Sequence, residues 1–269
     1  INLSVTGGTG SYTYSWSTNN GVLNNVNSSN QSGLSPGTYN VTVTDENGCS
    51  DSESFTITEP GELSLSASIP KTNGFEITCN GANDGSIDTT VNGGTGNYTY
   101  SWTGPNGFTS SAADLSNLSP GVYSLTATDT NGCSIAQTYT LSQPDAISIS
   151  GVISNYNGFG VSAKNASNGS INATVVGGYL GNGSNYVYSW TGPNGFTSNN
   201  EDISNLSAGT YALTVTDDND CTKTIQFVVT EPDLLVASGV PSNYNGFEIS
   251  CNGANDGFVI LTVSGGATD

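Results

Sequence analysis

The chain has 269 residues, with 3 basic and 22 acidic side chains and a formal charge of −19. Three cations, Lys71, Lys164 and Lys223, cannot neutralise a run of phosphates, so nucleic-acid binding is excluded. Histidine is absent, which removes Ser-His-Asp and Cys-His catalysis and every His-ligated metal site. Only 9% of residues are charged and 34% hydrophobic, and 35 glycines with 9 prolines suit short strands joined by turns. Methionine is missing altogether, so the expectation is a mature or internal piece of a protein. No run approaches the ~18 apolar residues of a membrane helix, and no membrane insertion is expected in this region.

Three elements recur in chain order. YTYSW at Tyr12–Trp16 and Tyr98–Trp102 returns as YVYSW at Tyr186–Trp190, which sets the tryptophans 86 and 88 residues apart. LSPGTYNVTVTDENGC begins at Leu34, LSPGVYSLTATDTNGC at Leu118 and LSAGTYALTVTDDNDC at Leu206. NGFEITCNGANDGSI from Asn73 returns from Asn245 and, worn down as NGFGVSAKNASNGSI, from Asn157. The spacing predicts a repeat of about 86 residues. Closing EP or QP dipeptides at Pro60, Pro144 and Pro232 divide the chain. Partial repeats are expected at 1–60 and 233–269, and complete ones at 61–144 and 145–232, so that the chain is a window on a longer array.

Each repeat reads as strands. Tyr98, Tyr100 and Trp102 fall on one face and Thr99 and Ser101 on the other, the period of a half-buried strand. Ile87, Thr89 and Val91 alternate likewise, as do Tyr123, Leu125 and Ala127, then Tyr139 and Leu141. Turn sequences such as NGGTGN, GPNG, SPG and DTNG separate the runs. Seven or so strands with a tryptophan on the third predict an all-β, immunoglobulin-like sandwich. LSPGxY predicts a tyrosine corner, in which the phenol bonds back to nearby backbone. Joints of two or three residues with proline predict a rod-like tandem array.

The order CNGxxDGSI, GGTGxYxYSW, LSPGTYxVTVTDxNGC and a closing EP resembles the SprB-type repeat of Bacteroidota surface proteins. The resemblance covers nearly the whole chain and departs at Ala163, Lys164 and Asn168 in the repeat 145–232. It implies a long cell-surface protein exported by the type IX secretion system and acting as an adhesin, the mobile adhesin of gliding motility among them. The expected partners are neighbouring repeats of the same chain, other copies in a filament, and a surface or glycan ligand of unknown identity.

Candidate sites each have a plainer reading. The Tyr98, Tyr100 and Trp102 ladder has the form of a sugar-stacking platform, but a core strand shows the same alternation. Phe108 and Phe196 follow GPNG turns and are candidate surface contacts, against loop residues folded back on their own repeat. Phe258 and Ile260 face away from Val259, Leu261 and Val263 and are candidate assembly contacts. Asp84, Asp129, Asp217, Asp218 and Asp220 carry the oxygen chemistry of calcium ligands, though Asp, Asn and Gly are also what tight turns require. No other cofactor is expected. A catalytic carboxylate pair should occur once in a cleft, whereas these acids recur with the repeat, so no enzyme activity is expected. An internal Lys–Asn cross-link is also not expected, because the lysines occupy non-equivalent positions.

Five cysteines outside any metal spacing point to disulfides and an oxidising, extracellular location. They occupy one position before the second strand (Cys79, Cys251) and one after the sixth (Cys49, Cys133, Cys221). Three registers are open: Cys79–Cys133 within a repeat; Cys49–Cys79 with Cys221–Cys251; or Cys79–Cys221. In an immunoglobulin-like sandwich the two loops lie at opposite ends of one domain, beyond the ~4.4–6.8 Å Cα separation of a disulfide, and that analogy favours Cys79–Cys221. A shifted strand order would restore Cys79–Cys133. The functional expectation is the adhesive repeat region of a secreted surface protein. The alternatives are carbohydrate-binding modules of an extracellular enzyme and a self-assembling extracellular fibre.

Overall fold

The computed structural model describes residues 1–182 and 184–267. Regular structure among them is strand, apart from single 3-10 turns at Pro105–Gly107 and Pro193–Gly195. Three strands come first: β1 (Thr13–Thr18), β2 (Gly37–Thr44) and β3 (Ser50–Ile57). Seven follow: β4 (Ser64–Ser68), β5 (Gly85–Asn92), β6 (Thr99–Thr103), β7 (Thr109–Ser110), β8 (Leu115–Leu118), β9 (Gly121–Thr128) and β10 (Ser134–Leu141). A second seven are β11 (Asp145–Ile153), β12 (Gly169–Gly178), β13 (Val187–Thr191), β14 (Thr197–Ser198), β15 (Ile203–Leu206), β16 (Gly209–Thr216) and β17 (Thr222–Val229). A hairpin of β18 (Asp233–Pro241) and β19 (Val259–Gly266) comes last.

The two sets of seven have one topology. Sheet order is β4-β5-β8 and β10-β9-β6-β7 in the first, and β11-β12-β15 and β14-β13-β16-β17 in the second. Tryptophan stands on the third strand of each set, as the period-two pattern requires, with the flanking threonine and serine outside. Chain contacts group the molecule into two compact units, one of residues 1–66, 90–99 and 126–136 and one of residues 67–89, 100–125 and 137–269.

In the second unit, β11–β17 form a sandwich around a single core. Ile149, Ile171, Ala173, Ile203 and Leu206 come from one sheet, and Trp190, Tyr211, Leu213, Val215, Phe227 and Val229 from the other. Trp190 is 1% exposed, lies 5.7 Å from the Phe227 ring and donates its Nε1–H to Asn200 O at 3.0 Å. The Tyr211 hydroxyl donates to Ser207 O at 3.0 Å, closing the tyrosine corner that LSAGTY predicts. Tyr123 makes the same bond to Ser119 O at 2.9 Å. β11 crosses this core so closely that a Cβ on Gly151 would lie 2.6 Å from the Phe227 ring. In the first unit, the β1-β2-β3 sheet buries Trp16, Tyr39 and Val41, with Ile1, Leu3 and Phe55 packed against them. The Tyr39 hydroxyl repeats the corner, donating to Ser35 O at 2.7 Å.

Removing the Trp190 indole empties the centre of the sandwich, so Trp190→Ala should destabilise the β11–β17 domain by about 3–5 kcal/mol. Urea unfolding followed by near-ultraviolet circular dichroism measures it. A cost below about 1 kcal/mol would contradict a single shared core.

Candidate functional site: a cross-linked joint

The turn after β16 is organised by one carboxylate. Asp217 is 5% exposed, and its Oδ1 accepts the backbone N–H groups of Asn219 and Cys221, each at 2.9 Å. Its Oδ2 accepts the N–H of Tyr179 at 2.8 Å. Asp129 repeats the pattern with Asn131, Cys133 and Thr95, and Asp45 with Asn47, Cys49 and Thr9. Burial pushes the Asp129 carboxyl up, but the N–H donors of Cys133 and Thr95 outweigh it and hold the group below the usual carboxylate range. A left-handed residue completes each turn: Gly48 and Gly132 in two, and Asp220 at φ 61 in the third.

These turns account for most of the acidic candidates. The oxygens of Asp129 and Asp217 are taken up by backbone amides, Asp218 Oδ2 accepts Gly181 N–H at 2.7 Å, and Asp84 Oδ1 accepts Thr78 N–H at 3.3 Å. Asn168 substitutes for Asp84 in the next repeat and accepts Ser162 N–H at 3.1 Å, which an amide oxygen does as well as a carboxylate. No group of three or more acidic or cysteine side chains gathers in a metal-holding arrangement among the described residues.

The aromatic candidates divide. Phe108 is folded back edge-on against Tyr123 at 5.4 Å, and Phe196 against Tyr211 at 5.2 Å, so neither ring stands free on the surface. Trp102 is 1% exposed and packs against Tyr139 at 5.9 Å, as a core residue does. Phe258 and Ile260 are exposed, and so are Val259, Leu261 and Val263 on the other face of β19.

The structure joins Cys79 to Cys221 in a disulfide with Cα atoms 5.6 Å apart and a sequence separation of 142. Among the described residues Cys49, Cys133 and Cys251 are exposed free thiols. The bond ties the loop after β4 to the turn after β16. Asn219 Nδ2 donates to Thr78 O at 2.9 Å, Asn73 Nδ2 donates to Asn219 Oδ1 at 2.6 Å, and Phe75 meets the Tyr179 ring edge-on at 6.1 Å. The loop is also pinned to the strand exit after β10: Asn80 Nδ2 donates to Pro144 O at 3.0 Å and Gly81 N to Gln143 Oε1 at 2.7 Å. Cys79, Asn80, Asp145, Asp217, Cys221 and Lys223 border a cleft of about 430 Å³. Neither the Phe75–Tyr179 contact nor the role of Asn219 has a signal in the repeat pattern; both arise from the loop's own path.

Glu76 clamps this loop. It accepts Ser142 N–H at 2.8 Å and pairs with Lys71 Nζ at 2.6 Å, and its side chain is 6% exposed. Burial pushes its carboxyl up, but the Lys71 ammonium and the Ser142 donors pull it down further, to about 2 from 4.5. A depressed carboxylate stabilises the fold above its unfolded value, and that contribution disappears as pH falls through the folded value. Thermal unfolding of the wild type should therefore weaken between about pH 4.5 and about pH 2 more steeply than that of Glu76→Gln. Parallel melting curves over that range would show the clamp to be inert.

No curated protein matches the chain. Among solved structures it is similar to the three N-terminal domains of the bacteriophage RB49 highly immunogenic outer capsid protein (Hoc). That match has 14% identity and a TM-score of 0.39, over 82% of this chain and 86% of that one. It is also similar to trypsin-activated alpha-2-macroglobulin from Escherichia coli at 11% identity and a TM-score of 0.20, over 87% of this chain and 23% of that one. The model of the SprB repeat matches residues 1–21 and 76–107, and these segments are consistent with a SprB-type repeat.

Proposed function

We propose that the chain is a non-catalytic repeat region of a secreted cell-surface protein, working as an adhesin or surface filament of the kind used in gliding. The observation that carries this reading is the Cys79–Cys221 disulfide, which staples one seven-strand set to the next. A covalent bond across a joint resists hinging and separation under pull, which an enzyme scaffold does not need and a tethered surface protein does. An oxidising location outside the cell fits such a bond, and the SprB repeat match supports a place at the cell surface. No helix among the described residues is long and apolar enough to cross a membrane. Adhesion by such an array adds many weak contacts through effective concentration, so rigid spacing between repeats matters more than any single pocket.

Single-molecule pulling tests the mechanical role. With the disulfide intact, the stretch from Cys79 to Cys221, a sequence separation of 142, cannot be drawn out. At ~3.3–3.6 Å per extended residue, reductant should add about 470–510 Å of contour length. Unchanged extension, or turnover of a polysaccharide by the purified chain, would overturn the reading. Antibody raised to the chain should label intact cells, and labelling that requires permeabilised cells would also overturn it.

A further inference from the structure

The outer face of the tryptophan-bearing sheet carries a regular field of hydroxyl groups. In the first unit Ser15 of β1, Thr42 of β2 and Ser52 of β3 stand in one cross-strand row, next to the inward row of Trp16 and Val41. In the β11–β17 sandwich Ser189, Thr214 and Thr224 form the same row beside Trp190 and Leu213. All six are exposed or half-buried. The Thr42 and Ser52 hydroxyls bond to each other at 2.9 Å, and those of Thr214 and Thr224 at 2.8 Å. The outward rows on either side hold serine, threonine, asparagine, glutamine, alanine and valine, and no charged residue. On β9 the position of Thr42 and Thr214 is taken by Thr126, exposed between the buried Leu125 and Ala127.

Strand pairing spaces this field at about 4.8 Å across strands and about 6.6 Å along them. A hydroxyl has one donor and two acceptor sites, so each bonded pair still offers a donor and lone pairs outward. The cross-strand bond also holds the pair in place before a ligand arrives, which lowers the ordering cost of binding. Charge decides which ligand fits. The chain has 22 acidic side chains and a charge of −19, yet none of those acids stands in these outward rows. Long-range repulsion turns away anionic glycans and further copies of the chain. Protein interfaces depend on aromatic and arginine anchors, and the rows contain neither. Sugar stacking is closed to Trp16, Trp102 and Trp190, whose rings are buried. A neutral glycan chain matches what is left: its hydroxyls donate and accept at similar density, and it brings no charge to desolvate.

We propose that this outer hydroxyl face binds neutral polysaccharide, with one such face in each repeat. The inference rests on the adhesive reading above and names its ligand class. Each face contributes a weak contact, and several faces on one chain act together through effective concentration.

Retention of the full chain on insoluble cellulose, chitin and mannan, with alginate and hyaluronate gels beside them, tests this. Expected is retention on at least one neutral polysaccharide and on neither acidic one. Because no ion pair takes part, retention should be the same at about 0.1 M and about 1 M salt. Thr42→Val, Thr126→Val and Thr214→Val together remove one hydroxyl per face while keeping side-chain shape and strand propensity. The triple variant should keep its near-ultraviolet circular dichroism and bind about tenfold or more weakly. Retention on none of the neutral polysaccharides overturns the inference, and leaves labelling of intact cells to decide the surface reading separately. Retention that 1 M salt abolishes overturns it as well, since charge would then carry the contact. So does a folded triple variant that binds as well as the wild type or better, since apolar contact would then be the cause.

Discussion

The buried carboxylate of Asp217, shared by three backbone amides, is the interaction on which the joint depends. A five-residue turn at the end of a sandwich leaves amide donors that no strand can satisfy, and an unpaired buried donor costs about 1–3 kcal/mol. One acidic side chain answers three of them from a single position. In doing so it fixes where Asn219 and Cys221 point, and those two residues reach the neighbouring set. Asp45 and Asp129 build the same turn without a disulfide. The turn is therefore the fixed part and the cross-link the addition.

The loop after the first strand shows how one position can be served by different chemistry. In the 61–144 segment Gly81 N donates to Gln143 and the loop carries Cys79. In 145–232, where Ala163 and Lys164 replace Cys79 and Asn80, Asn165 N donates to Glu231 at 2.8 Å and Lys164 pairs with the same carboxylate at 2.6 Å. Both arrangements pin the loop to the strand exit, one through neutral groups and one through charge. Glu231 holds the Lys164 ammonium above its ordinary value, mainly through their hydrogen bond, so the pair is charged at neutral pH. Exposed ion pairs of this kind contribute little to stability, and nothing covalent crosses from this loop.

Local features were legible in the sequence. Period-two alternation placed Trp102 and Trp190 inward because it depends only on the pleat, and the phenol-to-backbone bonds of Tyr39, Tyr123 and Tyr211 span four residues. The strand order implied by those signals places the two cysteine loops at opposite ends of a domain, which is the geometry in which Cys79 meets Cys221. What depended on the path of an irregular loop was not legible. Glu76 reads as an ordinary acid until the loop returns it to Ser142, and Phe75 reads as a turn residue until Tyr179 lies against it. The acidic turns were ambiguous for a chemical reason: Asp, Asn and Gly serve a tight turn and a cation equally well, and only the positions of the amides decide which groups hold the oxygens.

The Cys79–Cys221 bond closes a covalent ring that contains every strand from β5 to β16. A single backbone cut anywhere inside that ring, in an exposed turn such as the one at Asn194 or Asn106, opens the ring and releases nothing. The segments before Cys79 and after Cys221 stay linked through sulfur, so such a nicked chain keeps its full mass and its tether. For a chain exposed to foreign proteases, the staple converts the first proteolytic hit from a severance into a scar.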